Sequence, residues 1–377
     1  MVYGLALGGG GSRGSYEIGV LKALEEMNIE IGAIAGTSIG AVNAAAYLMG
    51  DLELVENIWR SLTRGSLLRF KDMNIPEVIK KRGFDYDSLM KILKDVLSEE
   101  VIRKNPIDLG IVTYNLTQRE PVIIFKADIP EGMLIDYVAA SANHPSFRRL
   151  VIDGDQYIDG AVYDNIPIGP LYNKGYRNII SVDLDAIGMD KNMDATFNHV
   201  SIKPHTPLGS ILFPDPPTIA KNISYGYMDT LKAFHKLHGY GYYLRSLDSS
   251  SLISPLNALE IKEFNYMMTP LFIDKAFDNY RHQLDAEFSF LLASLLIAAE
   301  TLEVDNCKIY ESPDHLLEKV ILVLKDPLHL NNMNPLTHKI IFGDFDSLAL
   351  KALSLTSPKL IITNIFLKII QNRILGV

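Results

Sequence analysis

The pentapeptide Gly36-Thr37-Ser38-Ile39-Gly40 is the stretch of this chain best suited to covalent chemistry. It follows a short apolar run, Ile31 to Ala35, and precedes a run of small residues, Ala41 to Met49. A Gly-x-Ser-x-Gly between a strand and a helix sets its serine on a sharp turn, with the hydroxyl exposed above the sheet and the following helix dipole favouring negative charge there. The glycines on either side leave room where a side chain would collide with the neighbouring strand or helix. A second glycine pattern, Gly9-x-Gly11-x-x-Gly14, ends another apolar run and opens a helical one. As a dinucleotide fingerprint it would need an acidic residue at the end of the second strand to hold the ribose hydroxyls. That strand ends in Ala35-Gly36-Thr37-Ser38, without an acid. The same loop suits a developing oxyanion, because consecutive glycines can turn several backbone amides toward one oxygen. Arg13 in this loop is read as bonding backbone carbonyls, with assistance to anionic head groups as the alternative.

A serine hydroxyl needs a base. None of the nine histidines stands in a recognisable catalytic context, and His144, before Pro145, is the one nearest the site in sequence. His235 and His238 have helical spacing without a third ligand. Asp159-Gly160 taken alone reads as a turn. Asp183 and Asp185 end a strand, and Asp153 and Asp155 flank a glycine in a turn. No metal-ligand spacing is present, and neither metal nor cofactor is expected.

Three motifs in order, Gly9 to Gly14, Gly36 to Gly40 and Asp159-Gly160-Ala161, give the chain a resemblance to the patatin-like phospholipase family. The Ser15 to Leu24 helix, Ala140-Ser141 to Pro145 and Asn165-Ile166-Pro167 are similar to the family as well. The resemblance covers roughly residues 3 to 235. It implies a Ser-Asp dyad, with Ser38 as nucleophile and Asp159 as general base. It also implies an oxyanion hole at Gly9, Gly10, Gly11, Arg13 and Gly14, the amides of Gly10 and Gly11 donating, with Gly36 and Gly40 as the elbow glycines and Gly160 and Ala161 completing the Asp-Gly-Ala motif. An exposed aspartate is a poor base, so partial burial beside an apolar cleft is expected to raise its pKa.

The elements that must position these residues read as follows. Val2 to Leu7 and Ile29 to Ala35 are strands, Ser15 to Met27 and Ala41 to Met49 helices, and this alternation implies parallel strands with helical crossovers. Asp51 to Leu62 is a helix with Leu54, Ile58 and the sole tryptophan, Trp59, on its apolar side. Thr63 to Val101 is helical but broken by Pro76 and Gly83, as a lid or a surface subdomain. Ile107 to Asn115 and Pro121 to Lys126 form a hairpin, Leu134 to Ala142 a helix, Asn178 to Leu184 a strand. Prolines 204 to 217 interrupt the pattern, and Thr218 to Leu237 closes the first part as a helix. Beyond Asp248 the chain is mostly helical. Ser312-Pro313 starts a helix that Pro327 closes, and Ile361, Ile365, Phe366, Ile369 and Ile370 share a buried face.

The expected fold is α/β, a three-layer α/β/α arrangement with a mainly parallel central sheet, plus a mostly helical C-terminal region. Domains are expected at 1–247 (core motifs 4–205, Pro-rich stretch and closing helix 204–247) and 248–377. The 377 residues, 48% hydrophobic and 21% charged, fit a globular chain, and the net charge of -9 argues against nucleic acid as the main partner. The single cysteine, Cys307, fits a reducing compartment. Phe288 to Ala299 is too short to span a bilayer and reads as a buried helix. No signal peptide is read at the N-terminus, so the expected location is cytoplasmic, with contact to membranes from one side. The expected activity is hydrolysis of acyl-lipid esters through an acyl-enzyme. The alternatives are an acyltransferase, a carboxylesterase or thioesterase with the same dyad, and a non-enzymatic lipid-binding scaffold. Phospholipid or another acyl-lipid is the expected partner, and the C-terminal region offers a surface for a homo-oligomer.

Overall fold

A computed structural model describes residues 1–62, 87–145, 149–189, 191, 196–249, 253, 277, 289–345, 349, 353 and 355–375. Pro76 and Gly83, and with them most of the expected lid, lie outside the described residues. The chain divides into two compact units, Met1–Ala233 and Phe234–Val377.

The first unit is built on an eight-stranded mixed sheet whose central pairs are parallel. β1 (Val2–Leu7) lies between β2 (Glu30–Thr37) and β7 (Asn178–Val182), with β3 (Asp108–Asn115) beyond β2 and β8 (Asn198–Ile202) beyond β7. Leu5, Ala6 and Leu7 are fully buried, as expected for a parallel strand covered on both faces. One face packs Ala6, Ala33, Ala35 and Ile179 against Leu171 of a short helix, Ile168–Asn173. α2 (Ile39–Tyr47) packs on β1, β2 and β3, with α1 (Ser15–Glu26) and α3 (Leu52–Ser61) beside it. The closing helix Pro216–Ala233 crosses α1 backbone to backbone: a Cβ on Gly19 would stand 1.9 Å from the Ile223 carbonyl oxygen, and one on Gly226 1.9 Å from that of Tyr16.

The sheet turns antiparallel at β3. Residues 110–112 pair with both β2 and β4 (Glu120–Phe125), and residues 113–115 with both β4 and β6 (Asp155–Asp159). β2 and β6 therefore share the edge of β3 opposite β4 and approach each other end to end. β6 is fed by β5 (Leu150–Ile152) through an Asp153-Gly154 turn in which both residues have positive φ, the geometry that matches hairpin twist.

Several local expectations change. Leu54 is 51% exposed, while Leu52, Val55, Glu56 and Trp59 face inward, the stripe that the 3.6-residue period selects. The closing helix stops at Ala233, because His235 takes φ 56 and breaks the helical repeat, so His235 and His238 do not share a helix. Asp155 is the first residue of β6 rather than part of the turn. β8 has no apolar run to announce it: an edge strand needs only one covered side, and Ile202 is its one buried residue.

The second unit is mostly helical around its own core, with a two-stranded pair of Tyr243–Leu244 and Ile309–Tyr310. Ser312 caps helix Pro313–Leu324, but Pro327 opens the next helix instead of closing this one, with Asp326 as its cap. Ile361, Ile365, Phe366, Ile369 and Ile370 of helix Pro358–Leu375 are buried, as are residues 291–299 of helix Ser289–Thr301. Among the described residues, no helix is long and apolar enough to cross a membrane.

Candidate active site

Ser38 joins β2 to α2 with φ 56 and ψ -124, a conformation that a non-glycine residue holds only under constraint. The constraint comes from its glycine neighbours. A Cβ on Gly36 would stand 2.5 Å from the Ala41 nitrogen, and one on Gly40 2.3 Å from the Leu7 carbonyl oxygen, so the helix closes directly onto the strands. The Ser38 amide donates to Ser141 Oγ at 2.8 Å, and Ser141 in turn donates to the Val112 carbonyl at 2.6 Å. The elbow is thus pinned to β3 through helix Leu134–Ser141.

The Ser38 hydroxyl is 2.6 Å from Asp159 Oδ2, to which it donates. Asp159 ends β6 and is 5% exposed. Its Oδ1 accepts from the Ala161 amide at 2.9 Å, and its own amide donates to the Asn143 carbonyl at 2.9 Å. Gly160 passes so close to β3 that a Cβ would stand 2.2 Å from the Val112 carbonyl oxygen. Burial pushes the Asp159 carboxyl up to about 6, against the hydrogen bonds from Ser38 and Ala161 that favour its ionised form. At neutral pH it is a carboxylate of raised basicity in contact with a serine hydroxyl, the arrangement a general base requires.

The glycine loop lies beside this pair. A Cβ on Gly9 would come 3.1 Å from Ser38 Cβ. The Gly9 amide is committed to the Asn165 carbonyl, the Ser12 amide to that of Ile211 and the Arg13 amide to that of Gly10. Among the described residues no hydrogen bond takes up the amides of Gly10 and Gly11. Arg13 donates to the carbonyls of Gly209, Leu184 and Asp185, and Ser12 Oγ to those of Ser210 and Ile211. Arg13 therefore fastens the loop to its neighbours. Gly14 seats against α2, where a Cβ would stand 2.5 Å from Ile39 Cγ1.

Ser38, Asp159 and Gly9 to Gly11 open into a cavity of about 910 Å³, near the upper end of the roughly 300–1,000 Å³ usual for small-molecule sites. Its inner wall is apolar, with Val42, Val55, Ile58, Trp59, Leu93 and Leu97 among the residues that line it. Its rim includes Ile187, 95% exposed, Met189, 55%, and Leu212, 47%. His144 also lines the cavity, but the serine hydroxyl is engaged by Asp159. Sequence reasoning passed over Ser141 as a support for the elbow; its place in the Ala140-Ser141 stretch was the one signal available. Among the described residues no group of three or more His, Cys, Asp or Glu side chains is disposed to hold a metal ion.

Residues 5–172 match the family model described as patatin-like phospholipase. The lysophospholipase nte1 of Aspergillus terreus is 30% identical over 231 residues, covering 58% of this chain and 14% of that protein. An uncharacterised NTE family protein of Mycobacterium bovis is 27% identical over 194 residues, covering 52% of each. The chain thus spans about half or less of the length of these relatives. Among solved structures, VipD from Legionella pneumophila aligns over 98% of this chain and 91% of its own, at 13% identity and a TM-score of 0.43.

Proposed function

We propose that this chain, whose residues 5–172 belong to the patatin-like phospholipase family, is a lipid acyl hydrolase that works through Ser38 and Asp159. The observation that carries the reading is the 2.6 Å contact between the Ser38 hydroxyl and the buried Asp159 carboxylate, in the lining of an apolar cavity. The match to lysophospholipases supports a phospholipid or lysophospholipid as substrate.

In this mechanism Asp159 accepts the hydroxyl proton as Ser38 Oγ attacks the ester carbonyl carbon. The carbonyl oxygen becomes an oxyanion and receives the uncommitted amides of Gly10 and Gly11, each such donor contributing about 3 kcal/mol to the transition state. Collapse of the tetrahedral intermediate breaks the bond to the alcohol, which leaves with the proton held by Asp159. Water then attacks the acyl-enzyme, giving its proton to Asp159, and that proton returns to Ser38 as the fatty acid departs. The acyl chain lies in the cavity, and the exposed Ile187, Met189 and Leu212 at its rim meet the lipid surface.

The test combines labelling and turnover. A fluorophosphonate probe should label the wild type and not Ser38→Ala, and lysophosphatidylcholine hydrolysis should follow the same pattern. Hydrolysis undiminished in Ser38→Ala would sink the mechanism.

A further inference from the structure

Asn43, in the second turn of α2, is 1% exposed and fully engaged. Its Nδ2 donates to the Gly14 carbonyl at 2.9 Å and to Glu17 Oε2 at 2.7 Å, while its Oδ1 accepts from the Trp59 indole at 3.0 Å. The amide cannot be turned over. An indole N–H only donates and a peptide carbonyl only accepts, so each end of the Asn43 side chain has one allowed assignment. Three elements thereby meet at one side chain: the cavity wall through Trp59 of α3, the end of the glycine loop through Gly14, and α1 through Glu17.

Trp59 is both a partner of Asn43 and a lining residue of the cavity. A chain that fills the cavity packs against the same indole whose N–H holds Asn43. Asn43 in turn holds the end of the loop that carries the uncommitted Gly10 and Gly11 amides. Glu17 is fully buried and burial pushes its carboxyl up to about 8, toward the uncharged form, so the hub's geometry rests on directed hydrogen bonds.

We propose that Asn43 is a positioning residue that couples occupancy of the cavity wall at Trp59 to the placement of the glycine loop. The proposal rests on the hydrolase reading above. It assigns part of the acyl chain's binding energy to the transition state, so that a chain long enough to fill the cavity raises kcat and does not merely lower KM.

The experiment measures kcat and KM of the full chain on p-nitrophenyl acetate, which leaves the cavity almost empty, and on p-nitrophenyl palmitate. Trp59→Phe keeps an aromatic wall and removes the indole N–H. It should lower the ratio of palmitate kcat to acetate kcat about fivefold, the scale of one neutral hydrogen bond. Asn43→Ala should level kcat between the two esters. An equal fall on both esters in Trp59→Phe would reduce the hub to a structural support and overturn the coupling. So would a palmitate kcat that does not change. Trp59→Phe decides the matter even where Asn43→Ala fails to fold. Absence of Ser38-dependent hydrolysis of either ester in the wild type overturns the hydrolase reading and the coupling with it. Ser38-dependent hydrolysis whose chain-length preference survives in Trp59→Phe overturns the coupling alone.

Discussion

Thr37 and Asp159 end their strands opposite consecutive residues of β3, Thr37 paired with Val112 and Asp159 with Thr113. One strand runs parallel to β3 and the other antiparallel, so their ends converge on a single point along the edge of β3. Ser38 is the next residue after Thr37, and its positive φ swings the hydroxyl toward the Asp159 carboxylate. Ser141, bonded to both the Ser38 amide and the Val112 carbonyl, locks the junction.

Replacing Asp159 with Asn should remove the base while keeping a side chain of similar shape that can still accept from Ala161. Ester turnover should fall about a thousandfold, within the range seen for loss of a general base. Circular dichroism and steady-state kinetics on the same preparation check this. A near wild-type rate would exclude Asp159 from the chemistry.

The pH profile follows from the raised carboxyl. Asp159 acts only when ionised, so kcat/KM should rise with pH through about 6 and level off above it. A soluble ester measured between mildly acidic and neutral pH reads the limb directly. A profile already level across that range, with its inflection near a normal carboxylate value of about 4, would contradict the burial argument.

The loop can be tested by adding one methyl group. In Gly11→Ala the new Cβ meets the Ile211 carbonyl oxygen at 2.3 Å and sits at φ 56, so the loop must shift. A loss of roughly 10²-fold in kcat is expected, the scale of one misplaced oxyanion donor. Gly50→Ala is the control: it also has positive φ, at 82, but nothing stands within 4 Å of the new atom. It should lower the Tm and leave kcat unchanged.

Glu17 ties stability to pH. Its folded-state carboxyl is raised from 4.5 to about 8, so the folded protein holds a proton that the unfolded chain releases. The stability it contributes is complete below the unfolded value and is lost as pH rises through the folded one, by about 1.4 kcal/mol per unit in between. Glu17→Gln has no such proton to lose. Thermal melts of the two proteins should diverge in favour of Gln as pH rises from about 5 to 8, and parallel curves would show that Glu17 ionises normally.

The rim gives a membrane test. The double variant Ile187→Asp and Leu212→Asp should lose co-sedimentation with phosphatidylcholine vesicles, because two exposed apolar side chains become charged. Its rate on p-nitrophenyl acetate should hold, since both side chains are exposed at the rim and the Ser38–Asp159 hydrogen bond does not depend on them. Unchanged sedimentation would place the lipid contact elsewhere.

What was legible in the sequence is what short-range sterics impose. Gly36, Gly40 and the Gly9 to Gly14 loop announce themselves because a sharp turn and close backbone approach demand glycine at particular offsets, and Ser38 is marked by its neighbours. The strand–helix alternation gives the α/β class for the same local reason. The role proposed for Asp159 could be read only from resemblance, since Asp-Gly is by itself an ordinary turn. Glu17 left a trace: it stands one turn before Leu21 on the apolar stripe of α1, a polar residue where burial is expected. Asn43 and Ser141 left almost none, because a small polar residue in a helix names no partner.

The rest was decided by closure of the sheet. Only the register of β2 and β6 against β3 sets Ser38 and Asp159 in contact across 121 positions of chain. The positions of Trp59, Asn43 and Gly14 around one amide depend likewise on how α1, α2 and α3 pack over that sheet. Turn chemistry is written into neighbouring residues, whereas a hydrogen bond between distant ones exists only once strand pairing and helix packing have chosen a single arrangement.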